Sequence, residues 1–209
     1  MGDPDASRLG ALPSATGAIT RLAYAQAKAA GLDLELLSKK AGLTLGQIED
    51  PSVRVKVRDQ ISFLNFAADA LQDDLLGFHL ALPPDLRELG LLYYVSASSE
   101  TLSEALQRAA RYSVIVNEGV SLTYVDGNDV GITFDYVGVS RHLDRHQIEF
   151  FLTVLVRLCR QLTGQRVVPS RVKLTHRRDS VGPEFLEFFG RDFEFRANTD
   201  EVKIGRAHV

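Results

Sequence analysis

Apolar residues keep a helical period through the first half of the chain and an alternating one through much of the second. From Ile19 to Leu37 the sequence is Ala/Leu-rich and helical, with a break at Ala29–Asp33 (AAGLD). Val57, Ile61, Leu64, Ala68 and Leu71 fall at helical spacing and predict an amphipathic helix over Lys56–Leu71. Pro83-Pro84 breaks the chain. Leu91–Val95 is a short apolar run that suits a buried helical turn or a strand equally. Thr101-Leu-Ser-Glu104 has the spacing of a capping box. Beyond it Leu102, Ala105, Leu106 and Ala109 share one face and Glu104, Gln107, Arg108 and Arg111 the other, which predicts a helix over Leu102–Val116.

The period then changes. Val120, Leu122 and Tyr124 alternate with Ser121 and Thr123, and Val130, Ile132, Phe134 and Tyr136 repeat the pattern. Asp126-Gly-Asn-Asp129 between them is hairpin chemistry. Arg141–Thr163 reads as a long helix closed by Gly164, apolar over most of its circumference and therefore buried. A strand at Arg171–His176, a helix at Glu184–Phe189 ended by Gly190, a strand at Asp192–Phe195 and a return strand from Val202 complete the pattern. N-terminal helices followed by ββαβα order predict an α+β fold with a mainly antiparallel sheet. Leu36–Pro51 looks at first like the start of a helix-turn-helix. Its second segment, however, ends at Pro51 after Glu49 and Asp50, too short for the major groove and repelled by phosphates, so a helical hairpin is expected.

At 209 residues the chain suits one well-buried domain, and 45% hydrophobic with 24% charged residues is ordinary for a soluble protein. A formal net charge of −3 argues against a domain whose main work is gripping phosphate backbones. The single cysteine, Cys159, excludes an internal disulfide framework, fits a cytoplasmic location and lies among Leu155, Val156, Leu158 and Leu162 as a buried, inert thiol. Residues 1–18 are expected to be a disordered leader, without the apolar core of a signal peptide. Ile148–Leu162 is too charged and too short for a membrane span. His142 and His146 stand four apart, with Glu149 as the one obvious further ligand. The HExxH arrangement is absent, so a structural role is expected and no metal or other cofactor. Ser96, Ser98, Ser99, Ser103 and Ser113 follow no nucleophile-elbow pattern and read as caps and turns. No catalytic constellation stands out, and an enzyme is disfavoured. The residues instead describe a module that encloses an apolar or small organic ligand, dimerises, or both. Tyr93, Tyr94, Tyr112, Asn117 and His146 are the polar groups suited to meet an effector.

Five blocks resemble a known family in order and spacing: DDLLGFHLA (Asp73–Ala81), DLRELGLLYYVSASSETLSEALQRAARY (Asp85–Tyr112), NEG (Asn117–Gly119), RHQIEFFLTVLVRLCRQLTG (Arg145–Gly164) and FFGRDFEFRAN (Phe188–Asn198). Together they resemble the N-terminal effector-sensing and dimerisation region of AraC-type transcription regulators, in the arabinose-binding-type branch. The resemblance spans Ile19–Lys203. It implies a small-molecule effector, not necessarily arabinose, a homodimer, and promoter DNA read through a C-terminal helix-turn-helix domain that this chain does not contain. Ile204–Val209 (IGRAHV) lacks the pattern of a closing strand. Lys203–Val209 can be back-translated into a run that contains a common sequencing-adapter sequence, so residues 204–209 are expected to be an artefactual tail and the natural gene to continue. A stand-alone ligand-binding or oligomerisation module without a DNA partner is the alternative.

Overall fold

The computed structural model describes residues 13–83, 85–137, 143–190 and 193–205. The first half is helical. Helix α1 (Ala18–Ala29) is followed by α2 (Leu34–Ala41), capped where the Asp33 side chain accepts from the Leu36 amide at 2.9 Å. The expected hairpin is present. Gly42 takes a left-handed conformation (φ 78°) and Thr44 opens α3 (Leu45–Glu49) in a reciprocal capping box with Gln47. Helix α4 (Val57–Leu71) follows, then α5 (Leu76–Ala81). Strands β1 (Ser14–Ala15) and β2 (Val55–Lys56) form a two-stranded ribbon ahead of α4, so Ser14 and Ala15, expected within the leader, are part of the fold.

After a 3-10 turn at Leu86–Leu89, the ambiguous run from Leu91 resolves as helix α6 (Leu91–Ala97). It is not a buried turn: Leu91 and Tyr94 are 56% and 58% exposed, because the helix lies on the surface against α7. Helix α7 (Leu102–Tyr112) begins where Thr101 Oγ1 accepts from the Glu104 amide at 3.1 Å. The Glu104 carboxylate reaches back one residue further than a reciprocal box requires, to the Glu100 amide at 3.0 Å. The helix tightens at Ser113–Ile115 into a 3-10 turn, short of the expected end.

The second half builds a five-stranded sheet from β3 (Val120–Val125), β4 (Asp129–Tyr136), β5 (Arg171–Leu174), β6 (Phe193–Phe195) and β7 (Asp200–Gly205), in spatial order β3-β4-β7-β5-β6. Helix α8 (Arg145–Thr163) joins β4 to β5, and α9 (Pro183–Phe189) joins β5 to β6. That helical crossover lets β5 and β6 run parallel, while the other pairs are antiparallel, so the sheet is mixed. In register, Ile132 faces Val202 and Val130 faces Ile204, which puts one apolar stripe on the covered face. Ile204 and Gly205, placed beyond the domain by the sequence reading, continue β7, and Val202 and Ile204 keep the inward alternation on either side of Lys203.

Helix α8 belongs to two cores at once. Ile148, Leu152, Leu155, Val156 and Cys159 pack with the sheet, α7 and α9, whereas Phe150, Phe151 and Val154 pack with the N-terminal helices. Such two-sided burial is what its near-continuous apolar sequence demands. Against α5 the approach is close: a Cβ built on Gly77 would stand 1.9 Å from the backbone oxygen of His146.

Candidate ligand-binding cavity

A cavity of about 360 Å³ opens where the helical half meets the sheet half. Its long wall is one stripe of α8, formed by Phe150, Phe151, Val154, Leu155 and Leu158, which recur three and four residues apart. Opposite stand Ile19 and Leu22 of α1, Leu86 and Leu89 of the 3-10 turn, and Val120, Leu122 and Phe134 of the hairpin. Apolar side chains thus form most of the lining, around a volume in the range of small-molecule sites.

Polar groups gather in two places. One is a chain of buried amides: Gln60 on α4 donates to Gln147 on α8 at 2.7 Å and accepts from the Thr20 hydroxyl at 3.2 Å. Asn117 donates to the same Gln147 oxygen at 3.5 Å and accepts from the Gly119 amide at 2.9 Å. Gln60 and Asn117 line the cavity, and all four side chains are buried. The other place is charged, with Arg157, Asp85 and Glu88. Arg157 donates to the Ala81 carbonyl at 2.6 Å; burial lowers its pKa and the nearby Asp85 charge opposes that. Gln147 and Arg157 are ten residues apart on one helix, so the two places lie about 15 Å apart along its axis.

Of the five residues singled out in the sequence, Asn117 lines this cavity and the other four do not. Tyr93 is half-buried against Leu86, Ala109 and Leu158, its hydroxyl accepting from Gln161 at 2.8 Å. Tyr94 is largely exposed, and the Arg111 guanidinium sits over the Tyr112 ring. His146 is buried beside α5, and burial lowers its pKa to about 4, so the ring is neutral near neutral pH. His142 lies outside the described residues. Glu149, the third group of that constellation, is fully buried. Its two oxygens accept from the Arg178 Nε and Nη2 at 2.7 and 2.8 Å, which commits the carboxylate to a salt bridge. Burial pushes the Cys159 thiol up to about 12, so it stays protonated and unreactive. Ser96, Ser98 and Ser113 bond backbone carbonyls of their own helices or turns, and Ser103 meets the Tyr124 hydroxyl.

The sequence carries a signal for part of this lining. Gln60 falls between Val57 and Ile61 on the buried face of α4, and Gln147 heads the α8 stripe that continues through Phe150, Phe151 and Val154. An amide in the middle of an apolar face requires a partner.

The model of the arabinose-binding domain of AraC transcription regulators, N-terminal, matches residues 31–208. This chain belongs to that family. Among curated proteins none matches it. The AraC-type N-terminal domain is a regulatory ligand-binding domain and not a family of enzymes. The cavity of this AraC-type domain draws most of its walls from within the matched residues, with Ala15–Leu22 closing it from before them. Among the described residues no helix is long and apolar enough to cross a membrane.

Proposed function

We propose that the chain is the effector-sensing and dimerisation half of an AraC-type transcription regulator, and that the cavity along α8 is its effector site. The observation that carries the site is the cavity itself: an apolar chamber of about 360 Å³ with buried, oriented amides at one end, walled by both halves of the domain. An effector held there touches α1, α8 and the hairpin together. It therefore acts by favouring one arrangement of these elements over another, which requires different affinities for the two states. Promoter DNA is contacted through a helix-turn-helix domain outside this chain. The exposed apolar side chains Leu91, Tyr94, Val114 and Ile115, on or next to the packed α6 and α7, support a homodimer.

The test is thermal-shift screening of the chain against small organic molecules, paired with Val154→Trp, which fills the cavity. A ligand that binds only the folded state raises the melting temperature, and Val154→Trp abolishes that rise. Ligands whose stabilisation survives the filling would place the effector elsewhere. The chain alone gives no sequence-specific shift of promoter DNA in an electrophoretic assay. A salt-sensitive, specific shift would overturn the division of labour.

A further inference from the structure

The buried amides fix which kind of atom the cavity receives. The backbone amide of Gly119 can only donate, so the Asn117 oxygen that meets it at 2.9 Å is an acceptor and the Asn117 NH2 points the other way. That NH2 faces the Gln147 oxygen. Gln60 meets the same oxygen and must also donate, leaving its own oxygen to accept from Thr20. The orientation of three side chains thus follows from one main-chain N–H.

The consequence is a surplus of donors. The NH2 groups of Gln60 and Asn117 carry two protons each, and among the described residues the acceptor that both meet is the single Gln147 oxygen. Each amide therefore has one further N–H, in residues that are 1% and 3% exposed respectively and that both line the cavity. A buried donor left unmade costs free energy, so this end is built for an oxygen acceptor. Both arginines of the lining are already engaged, which leaves an entering carboxylate poorly compensated. Arg157 stands about 15 Å along α8, and Arg21 is turned to the Thr16 carbonyl at 3.1 Å. A sugar would lay several hydroxyls on Phe150, Phe151, Val154, Leu155 and Leu158, whose side chains offer no polar atom.

Taking the cavity as the effector site, we infer that it selects an uncharged, elongated, mainly apolar molecule whose single carbonyl-type oxygen is bound by Gln60 and Asn117. The carbonyl accepts from both amides, and the hydrocarbon part lies along α8 toward Arg157.

The chain is titrated by calorimetry with four probes: a medium-chain methyl ketone, the matching alkanoate, the matching alkane and a pentose. The ketone is expected to bind saturably and most tightly. Asn117→Asp keeps the acceptor for Gly119 and removes the donor; Gln60→Glu does the same at its position. Each weakens the ketone by up to about tenfold and leaves the alkane unchanged. Infrared spectra of bound ketone supply a readout on unmutated protein, with the carbonyl band shifted down from its position in hydrocarbon. Absence of saturable ketone binding, tighter alkanoate or pentose binding, ketone affinity untouched in both variants, or an unshifted band each overturns the inference. If binding of any probe is still abolished by Val154→Trp, the cavity stands as the effector site and only its ligand class falls. Binding that survives Val154→Trp removes both.

Discussion

His146 shows how burial alone sets a charge state. Removal from water is the largest influence on its ring and holds the pKa at about 4, against an ordinary 6.5. The sign follows from proton uptake. Between these values the unfolded chain binds a proton that the folded one refuses, so stability falls as pH drops below 6.5 and the loss is complete below about 4. The cost is about 2 kcal/mol at about pH 5 and about 3 kcal/mol in full. His79 acts in the opposite sense. Although burial lowers its pKa, Asp73 and Glu184 outweigh this and raise it above 6.5, so its contribution is present below that value and is lost as pH rises through the folded pKa. Urea unfolding of wild type and His146→Gln at about pH 7 and about pH 5 separates the two, because the His79 contribution cancels in the difference. The variant should lose about 2 kcal/mol less on acidification. Next to His146, Gly77 is fixed by space alone. A methyl group would overlap the His146 carbonyl oxygen at 1.9 Å, and that oxygen is backbone, so α5 must move off α8. Gly77→Ala should therefore cost about 3 kcal/mol or more in the same assay, against the small gain that alanine brings to an open helical site.

At the scale of elements, α8 is pinned from outside by an arginine on the loop between β5 and α9. Arg178 holds both oxygens of Glu149 and reaches Asp74 just before α5, so one side chain ties a loop, a central helix and a second helix together. Burial would raise the Glu149 pKa, but His176 and Arg178 more than offset this and hold the carboxyl ionised. His176 Nε2 lies 3.1 Å from Glu149 Oε1, near enough for attraction yet off the line of a hydrogen bond. Arg178→Met strands a buried carboxylate and should cost about 3–5 kcal/mol in urea unfolding. Adding Glu149→Gln removes the stranded charge and should recover more than half of that loss. The helices themselves were legible in the sequence because their information is local. Thr101 and Glu104 start α7, Gly164 ends α8, and the 57-61-64-68 spacing defines α4. The α8 pin was not legible, since Glu149 and Arg178 are twenty-nine residues apart and mark no period. Which amides meet on the cavity wall was not legible for the same reason: Gln60 and Gln147 meet across eighty-seven residues. Tyr93, Tyr94 and Tyr112 looked like ligand contacts by type, yet helical phase turns Leu92, not Tyr93 or Tyr94, toward the chamber.

For the molecule as a whole, the cavity lies on the seam between two cores, and a short strap before α1 closes one side of it. Ala15 and Thr16 line the chamber. They are held by a two-residue ribbon to β2, by the Thr16 amide on the Val116 carbonyl at 3.0 Å, and by the Glu118 amide on the Ser14 carbonyl at 2.9 Å. Arg54 binds this strap from the side. It donates to the Ser14 hydroxyl at 2.8 Å and to the carbonyls of Ser14 and Ile115, both at 3.0 Å. Neither core uses Arg54, so its loss should loosen the strap without unfolding the domain. Local opening of a short terminal segment costs less than global unfolding, and amide hydrogen exchange reads the two separately. In Arg54→Ala the amides of Thr16 and Glu118 should exchange about tenfold faster or more, as expected for loss of hydrogen bonds worth about 1 kcal/mol each. The amides of α8 should exchange at the wild-type rate. A ligand filling the chamber packs against Ala15 and Thr16 and should slow the strap amides again, in the variant as in the wild type. Uniform acceleration across α8 and the sheet would show instead that the strap and the two cores open as one unit.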